Sequence, residues 1–115
     1  MISHCKNIQP ATSQNHKGGT GITTFYPCFS ATEPDNTGIR FVGKVSLEPG
    51  ASIGEHPHGQ DDEVYIVVNG NGVYSENGVD FDIEEGAVLL LRRGNSHGMR
   101  NTGTVPLVFY AVVAG

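Results

Sequence analysis

The sequence is poor in basic residues and in cysteine, and it has no apolar run long enough to cross a membrane. Lysine and arginine together number 7 against 12 aspartates and glutamates, a formal charge of −5 with the histidines neutral. The few cations are scattered, and only Arg92 and Arg93 are adjacent. Binding to nucleic acid or to an anionic membrane needs a clustered positive surface, so neither is an expected partner. A single arginine inside a pocket is still compatible with this balance. The longest apolar stretch, Val105 to Val113, is interrupted by Pro106 and falls short of the roughly 20 residues of a membrane helix. The opening residues Met1-Ile2-Ser3-His4-Cys5-Lys6 lack the apolar core of a secretory signal, so a cytoplasmic location is expected. Cys5 and Cys28 make no C-x-x-C or other metal-type pair, and two free thiols are the expectation. Helical periodicity is missing throughout, and no segment repeats.

What is present is punctuation. Sixteen glycines and six prolines in 115 residues mark many turns, and the length suits a single domain. Residues 1–20 are polar and aperiodic and are expected to be an N-terminal arm or edge strand. Its histidines, His4 and His16, are expected to be solvated. Residues 21–115 read as short apolar runs separated by turn residues. The runs are Ile22–Phe29, Ile39–Leu47, Val64–Val68, Gly72–Tyr74, Val79–Ile83, Val88–Leu91, His97–Asn101 and Leu107–Val113. Breaks such as Glu33-Pro34-Asp35-Asn36, Asn69-Gly70 and Asn77-Gly78 suit tight turns, the Asn-Gly pairs because both residues tolerate positive φ. The spacing predicts an all-β fold, a sandwich or barrel, with antiparallel strands because no crossover helices exist.

Against this background one arrangement stands out. His56 and His58 are separated only by Pro57, and on an extended chain such residues project from one face about 6.5 to 7 Å apart. Two imidazoles so placed can converge on one ion at about 2.1 Å each. Glu63 follows across Gly59-Gln60-Asp61-Asp62, and His97 reaches the same place only through strand pairing. Taken alone, H-x-H with a nearby Glu is also compatible with surface decoration.

The surrounding residues carry a resemblance. Gly50-Ala-Ser-Ile-Gly-Glu-His56-Pro-His58-Gly-Gln-Asp-Asp-Glu63, with Gly70 after six further residues, is similar to the first cupin motif, G-x5-H-x-H-x(3,4)-E-x6-G. Gly86-Ala-Val-Leu-Leu-Leu-Arg92-Arg-Gly94-Asn-Ser-His97-Gly-Met-Arg-Asn101 is similar to the second, G-x5-P-x-G-x2-H-x3-N, and departs only at Arg92 in place of proline. The resemblance covers about residues 40–112. It implies a cupin double-stranded β-helix, a jelly-roll-like antiparallel barrel, with His56, His58, Glu63 and His97 as ligands of one divalent metal. Three imidazoles and a carboxylate without sulfur suit Mn, Fe, Ni, Co or Zn.

The run Glu63-Val-Tyr-Ile-Val-Val-Asn-Gly-Asn-Gly-Val-Tyr looks closest to small oxalate-decarboxylase-like single-domain cupins. The expected function is metal-dependent catalysis on a small carboxylate- or hydroxyl-bearing molecule, of decarboxylase, dioxygenase or isomerase type. The alternative is a non-catalytic metal and ligand-binding or sensing module. Tyr65, which shares strand parity with Glu63, and Arg40, at the start of Ile39–Leu47, are the candidate catalytic groups: a phenol for proton donation and a guanidinium for a substrate carboxylate. Asn101 has the parity of His97 and is expected to tie a loop. A homodimer is expected from the apolar run Val105–Val113 and the polar arm.

Overall fold

The computed structural model describes residues 2–30 and 38–115; the break expected at Glu33-Pro34-Asp35-Asn36 lies outside the described residues. The chain forms strands β1 (Ala11–Gln14), β2 (Ile22–Ser30), β3 (Ile39–Leu47), β4 (Ser52–His58), β5 (Asp62–Asn69), β6 (Asn71–Glu76), β7 (Val79–Glu84), β8 (Val88–Leu91), β9 (Asn95–Asn101) and β10 (Leu107–Ala114). Among the described residues every strand pairing is antiparallel. One sheet runs β1-β2-β3-β10-β5-β8 and the other β4-β9-β6-β7. The all-β, jelly-roll-like expectation is met. The strands form two facing sheets and do not close into one hydrogen-bonded cylinder.

Alternation along the strands builds the core. Val45 and Leu47 of β3, Tyr65 and Val67 of β5, and Leu107, Phe109 and Ala111 of β10 point inward, where they meet Ile53, Tyr74, Ile83 and Met99 of the facing sheet. Phe109 and Leu47 are fully buried, and each stabilises the domain by roughly 1.5–3 kcal/mol through the apolar surface it removes from water. The opposite parity of the large sheet is also apolar. Ile66 lies beside Val88 and Tyr110 across the ladder, and Val64 lies beside Leu90 and Val112. Val88 and Leu90 remain 66% and 48% exposed.

The turns follow their chemistry with one difference. Asn77 and Gly78 both take positive φ, 50° and 80°, and close the β6–β7 hairpin. Asn69-Gly70 does not make a hairpin; it passes the chain from one sheet to the other. A side chain at Gly70 would meet the Pro106 carbonyl, so this glycine serves a close backbone approach as well as its φ of 83°.

The N-terminal residues are tied into the same sheet. β1 pairs with β2 from Ala11↔Phe25 to Gln14↔Ile22. Upstream, the Cys5 and Cys28 sulfurs lie 3.5 Å apart as free thiols, and Cys5 Sγ is 3.8 Å from the Tyr110 hydroxyl. No helix among the described residues is long and apolar enough to cross a membrane.

Asn101 holds the β9–β10 connection, as its parity suggests. Its buried amide donates to the carbonyls of Leu47 at 3.0 Å and Val105 at 2.8 Å, while its oxygen accepts from Gly103 N at 2.9 Å. Asn101→Ala leaves buried backbone groups without partners, a cost of about 1–3 kcal/mol. The expected outcome is a melting temperature lowered by several degrees in thermal denaturation followed by circular dichroism. An unchanged melting temperature would contradict this role.

Candidate metal centre

β4 and β9 are neighbours in the small sheet, and their register sets His56 directly across from His97. An irregularity between Ile53 and His56 shifts that register, so the histidine end of β4 is offset from its apolar beginning. His58, two residues further along β4, stays on the face of His56. Glu63 comes from β5 of the opposite sheet, at the point where the chain has just turned through residues 59–61. The cluster is therefore assembled from both layers of the sandwich.

The ring centroids of His56, His58 and His97 are 4.8 to 5.2 Å apart, and the four prospective ligand atoms lie within 4.8 Å of one another. Two opposite ligands on one ion, at about 2.1 Å each, span about 4.2 Å. The donors are thus near ion-binding separation. Glu63 Oε1 sits 3.0 Å from His58 Nε2 and 2.9 Å from His97 Nε2. Yet the buried Glu63 Oε1 and His58 Nε2 have no hydrogen-bond partner. They are close but wrongly angled for bonding each other, as expected for lone pairs aimed at a common point. Glu63 is 7% exposed, and among the described residues no lysine or arginine pairs with it. An anion buried in this way is costly unless a cation joins it. The residues fit a divalent ion.

Each imidazole is oriented through its other nitrogen. His56 Nδ1 donates to the Gly54 carbonyl at 2.8 Å, and His58 Nδ1 donates to the Asp61 carboxylate at 2.6 Å. His97 Nδ1 donates to the Tyr74 hydroxyl at 3.1 Å, and Tyr74 in turn donates to Glu76 at 3.4 Å. These anchors fix the tautomer that leaves all three Nε2 atoms as acceptors for a metal. Sequence reasoning missed Asp61 and Tyr74. The spacing His58-x-x-Asp61 across a turn was a readable signal for the first. Tyr74 is brought to His97 only by the β6–β9 register, which pairs it with Met99.

Tyr65 is brought to the cluster. Its ring stacks on His97 at 4.8 Å, and its hydroxyl is 3.4 Å from His97 Nε2. Burial, reinforced by the Glu63 carboxylate, pushes the Tyr65 phenol well above its ordinary value, so it keeps its proton. Arg40 is not brought there: its Nε donates to the Gly115 carbonyl at 2.8 Å, and it does not line the cup. His4 is exposed and caps the Lys6 amide. His16, expected to be solvated, instead lines a cavity of about 100 Å³ together with His56, His58, Glu63, Tyr65 and the apolar Phe25, Phe41, Val45, Ile53 and Ala111.

Burial holds the His56 imidazole below its ordinary value of 6.5, against the opposing pull of the Gly54 carbonyl, and burial lowers His16 as well. Between the ordinary and the lowered values the unfolded chain binds protons that the folded chain does not, so stability falls as pH falls. The metal-free protein is expected to lose stability on acidification from 6.5 through the lowered values, then level off. Asp62 and Asp80, both lowered from 3.8, contribute a separate loss further down. Denaturant midpoints measured across this range in chelator check the expectation, and a flat profile would contradict it.

Comparison with known proteins identifies the family and the fold. The model of the cupin domain matches residues 43–113. The chain is 34% identical over 113 residues to the oxalate-binding protein of Thermotoga maritima, with 98% of this chain and 93% of that one covered. The crystal structure of a predicted oxalate decarboxylase from Thermotoga maritima superimposes with a TM-score of 0.91 at 32% identity, covering 99% of this chain and 98% of the other. A protein of Thermus thermophilus, 20% identical, shares the fold with a TM-score of 0.73 over 98% of this chain and 95% of its own. With a family match over most of its length and a relative at 34% identity across nearly all of it, the chain belongs to the cupin family.

Proposed function

We propose that His56, His58, Glu63 and His97 hold one divalent ion, and that the loaded protein is a metal-dependent enzyme acting on a small carboxylate- or hydroxyl-bearing anion. The observation that carries the reading is the convergence of three anchored imidazoles on a buried carboxylate that has no other cation. Nitrogen and oxygen donors suit Mn, Fe, Ni, Co or Zn. The cavity of about 100 Å³ is well below the roughly 300–1,000 Å³ of pockets for drug-sized ligands, which favours a ligand of few atoms. The similarity to a protein described as oxalate-binding points the same way.

A bound ion supplies Lewis acidity, polarising an oxygen of a chelated anion, or redox chemistry if the metal is iron or manganese. The chain's own residues do the rest. Phe25, Phe41, Val45, Ile53 and Ala111 wall the cavity and keep water low, which strengthens each polar contact inside it. Tyr65 holds a proton on its phenol beside Glu63 and His97, where it orients an oxygen of the substrate and can pass that proton on. Decarboxylase, dioxygenase and isomerase chemistry all fit this equipment. A non-catalytic binding or sensing module is the second reading, favoured by the scarcity of titratable groups lining the cavity beyond His56, His58, Glu63, Tyr65 and His16.

The apolar outer face of the large sheet, built on Ile66, Val88, Leu90, Tyr110 and Val112, is taken as the contact between two copies of the chain. Covering it removes exposed apolar surface at about 25 cal/mol per Å². The parent is expected to elute as a dimer in light-scattering chromatography and Leu90→Asp as a monomer; a monomeric parent contradicts the contact.

For the metal, the protein is expected to bind Mn(II) one to one by calorimetry, with Glu63→Ala weakening it by at least about a hundredfold, since it removes the only charged donor. Oxalate is expected to bind the loaded parent and not the metal-free protein. Equal Mn(II) affinity in parent and variant would sink the proposal. Release of carbon dioxide or formate from oxalate by the Mn- or Fe-loaded protein separates the catalytic reading from the binding one.

A further inference from the structure

His16 reads in the sequence as a solvated histidine of the arm, yet the fold goes to some length to hold it at the cup. It sits in the tight turn His16–Gly18, between β1 and β2, and the residues on both sides of it, Asn15 and Lys17, take left-handed φ of 54°. Asn15 tolerates this region, but Lys17 does not favour it, so the surroundings hold the Lys17 conformation against local preference. The turn lies directly on β4, the strand of His56 and His58. Thr20 and Ser52 exchange backbone hydrogen bonds at 3.3 and 2.7 Å. Two glycines permit the approach: a side chain at Gly19 would run into the Ser52 carbonyl, and one at Gly54 into the Lys17 carbonyl.

Away from His56, His58, Glu63 and Tyr65, the cavity wall is apolar except for the His16 ring. His16 packs against Phe25 with ring centroids 4.8 Å apart, and its Nδ1 is 3.0 Å from the Ser13 hydroxyl. Among the described residues its other nitrogen, Nε2, has no partner. If Ser13 donates to Nδ1, Nε2 carries the proton and is a neutral donor. Burial, with the charge of Lys17 adding to it, holds the ring below its ordinary value, which favours that neutral form.

We propose that His16 determines the ligand specificity of the cup, its Nε2 donating a hydrogen bond to an oxygen of the small carboxylate anion held at the four-residue centre. The inference rests on the metal and anion reading given above and names the group that recognises the anion beyond the ion itself. A dicarboxylate such as oxalate has oxygens left over for this contact once two of them face the ion. A monodentate anion such as azide does not need it.

The test uses the Mn(II)-loaded protein and calorimetry with oxalate and azide as probes. His16→Phe keeps the packing on Phe25 without the donor, and His16→Gln keeps a donor. Mn(II) and azide are expected to bind parent and both variants alike. Oxalate is expected to bind His16→Phe about tenfold more weakly, the size of one hydrogen bond, and His16→Gln with much of the loss restored. If oxalate binds His16→Phe as tightly as the parent, the inference is overturned while the metal and anion reading stands. If azide or Mn(II) weakens in step with oxalate, His16 merely shapes the site, which also overturns it. A loaded parent that takes up Mn(II) but no oxalate overturns the anion reading and this inference together.

Discussion

The carboxylate of Glu63 is the constraint on which the site depends. It is nearly buried, two imidazole nitrogens stand within 3.0 Å of it, and no lysine or arginine among the described residues compensates its charge. Burying an uncompensated anion costs several kcal/mol. A sandwich interior tolerates that only if the ionised group gains a cation or strong donors. The surrounding geometry supplies few donors: the Tyr65 phenol stands beside Glu63 and His97, while the imidazoles spend their Nδ1 protons on Gly54, Asp61 and Tyr74 and turn Nε2 lone pairs toward the carboxylate. Four electron-rich atoms facing one another are repulsive until a positive ion sits between them. The same arrangement that would destabilise the metal-free fold is the one suited to a divalent ion.

The core and the centre are not separate. Glu63, Tyr65 and Val67 leave β5 on one face, so the strand that supplies the carboxylate also supplies the floor beneath it. Tyr65 stacks on His97 at 4.8 Å and meets Phe109, the largest fully buried side chain, at 4.4 Å. Close-packed interiors transmit displacement, so the orientation of His97 depends on β10 as well as on its own hydrogen bond. The small cavity then follows from two sheets packed closely enough for these rings to touch.

Much of this was legible in the sequence because it rests on local rules. Parity placed Glu63, Tyr65 and Val67 together, H-x-H placed two imidazoles on one face, and the apolar runs fell within strands β2, β3 and β5 to β10. The four-residue cluster was readable from the resemblance of its two segments to the cupin motifs. What was not legible depends on register between distant strands. Tyr74 reaches His97 only because β6 pairs with β9, and Asn69-Gly70 crosses between sheets because β5 and β6 belong to different layers. His16 looked like a tail residue because nothing in its own neighbourhood reveals that Gly19 and Gly54 let the arm lie on β4. Arg40 looked available because its bond to the terminal Gly115 carbonyl spans most of the chain.

The central claim is that three imidazoles are held with Nδ1 protonated and Nε2 offered to one ion. Nitrogen-15 NMR of the histidine rings, before and after addition of zinc, reads this directly. The account predicts the Nδ1–H tautomer for His56, His58 and His97 in the metal-free protein at neutral pH, and on zinc binding a large change confined to their Nε2 signals while each Nδ1 proton persists. Nε2–H tautomers in the free protein, or zinc shifts that leave any one of the three untouched, would contradict it.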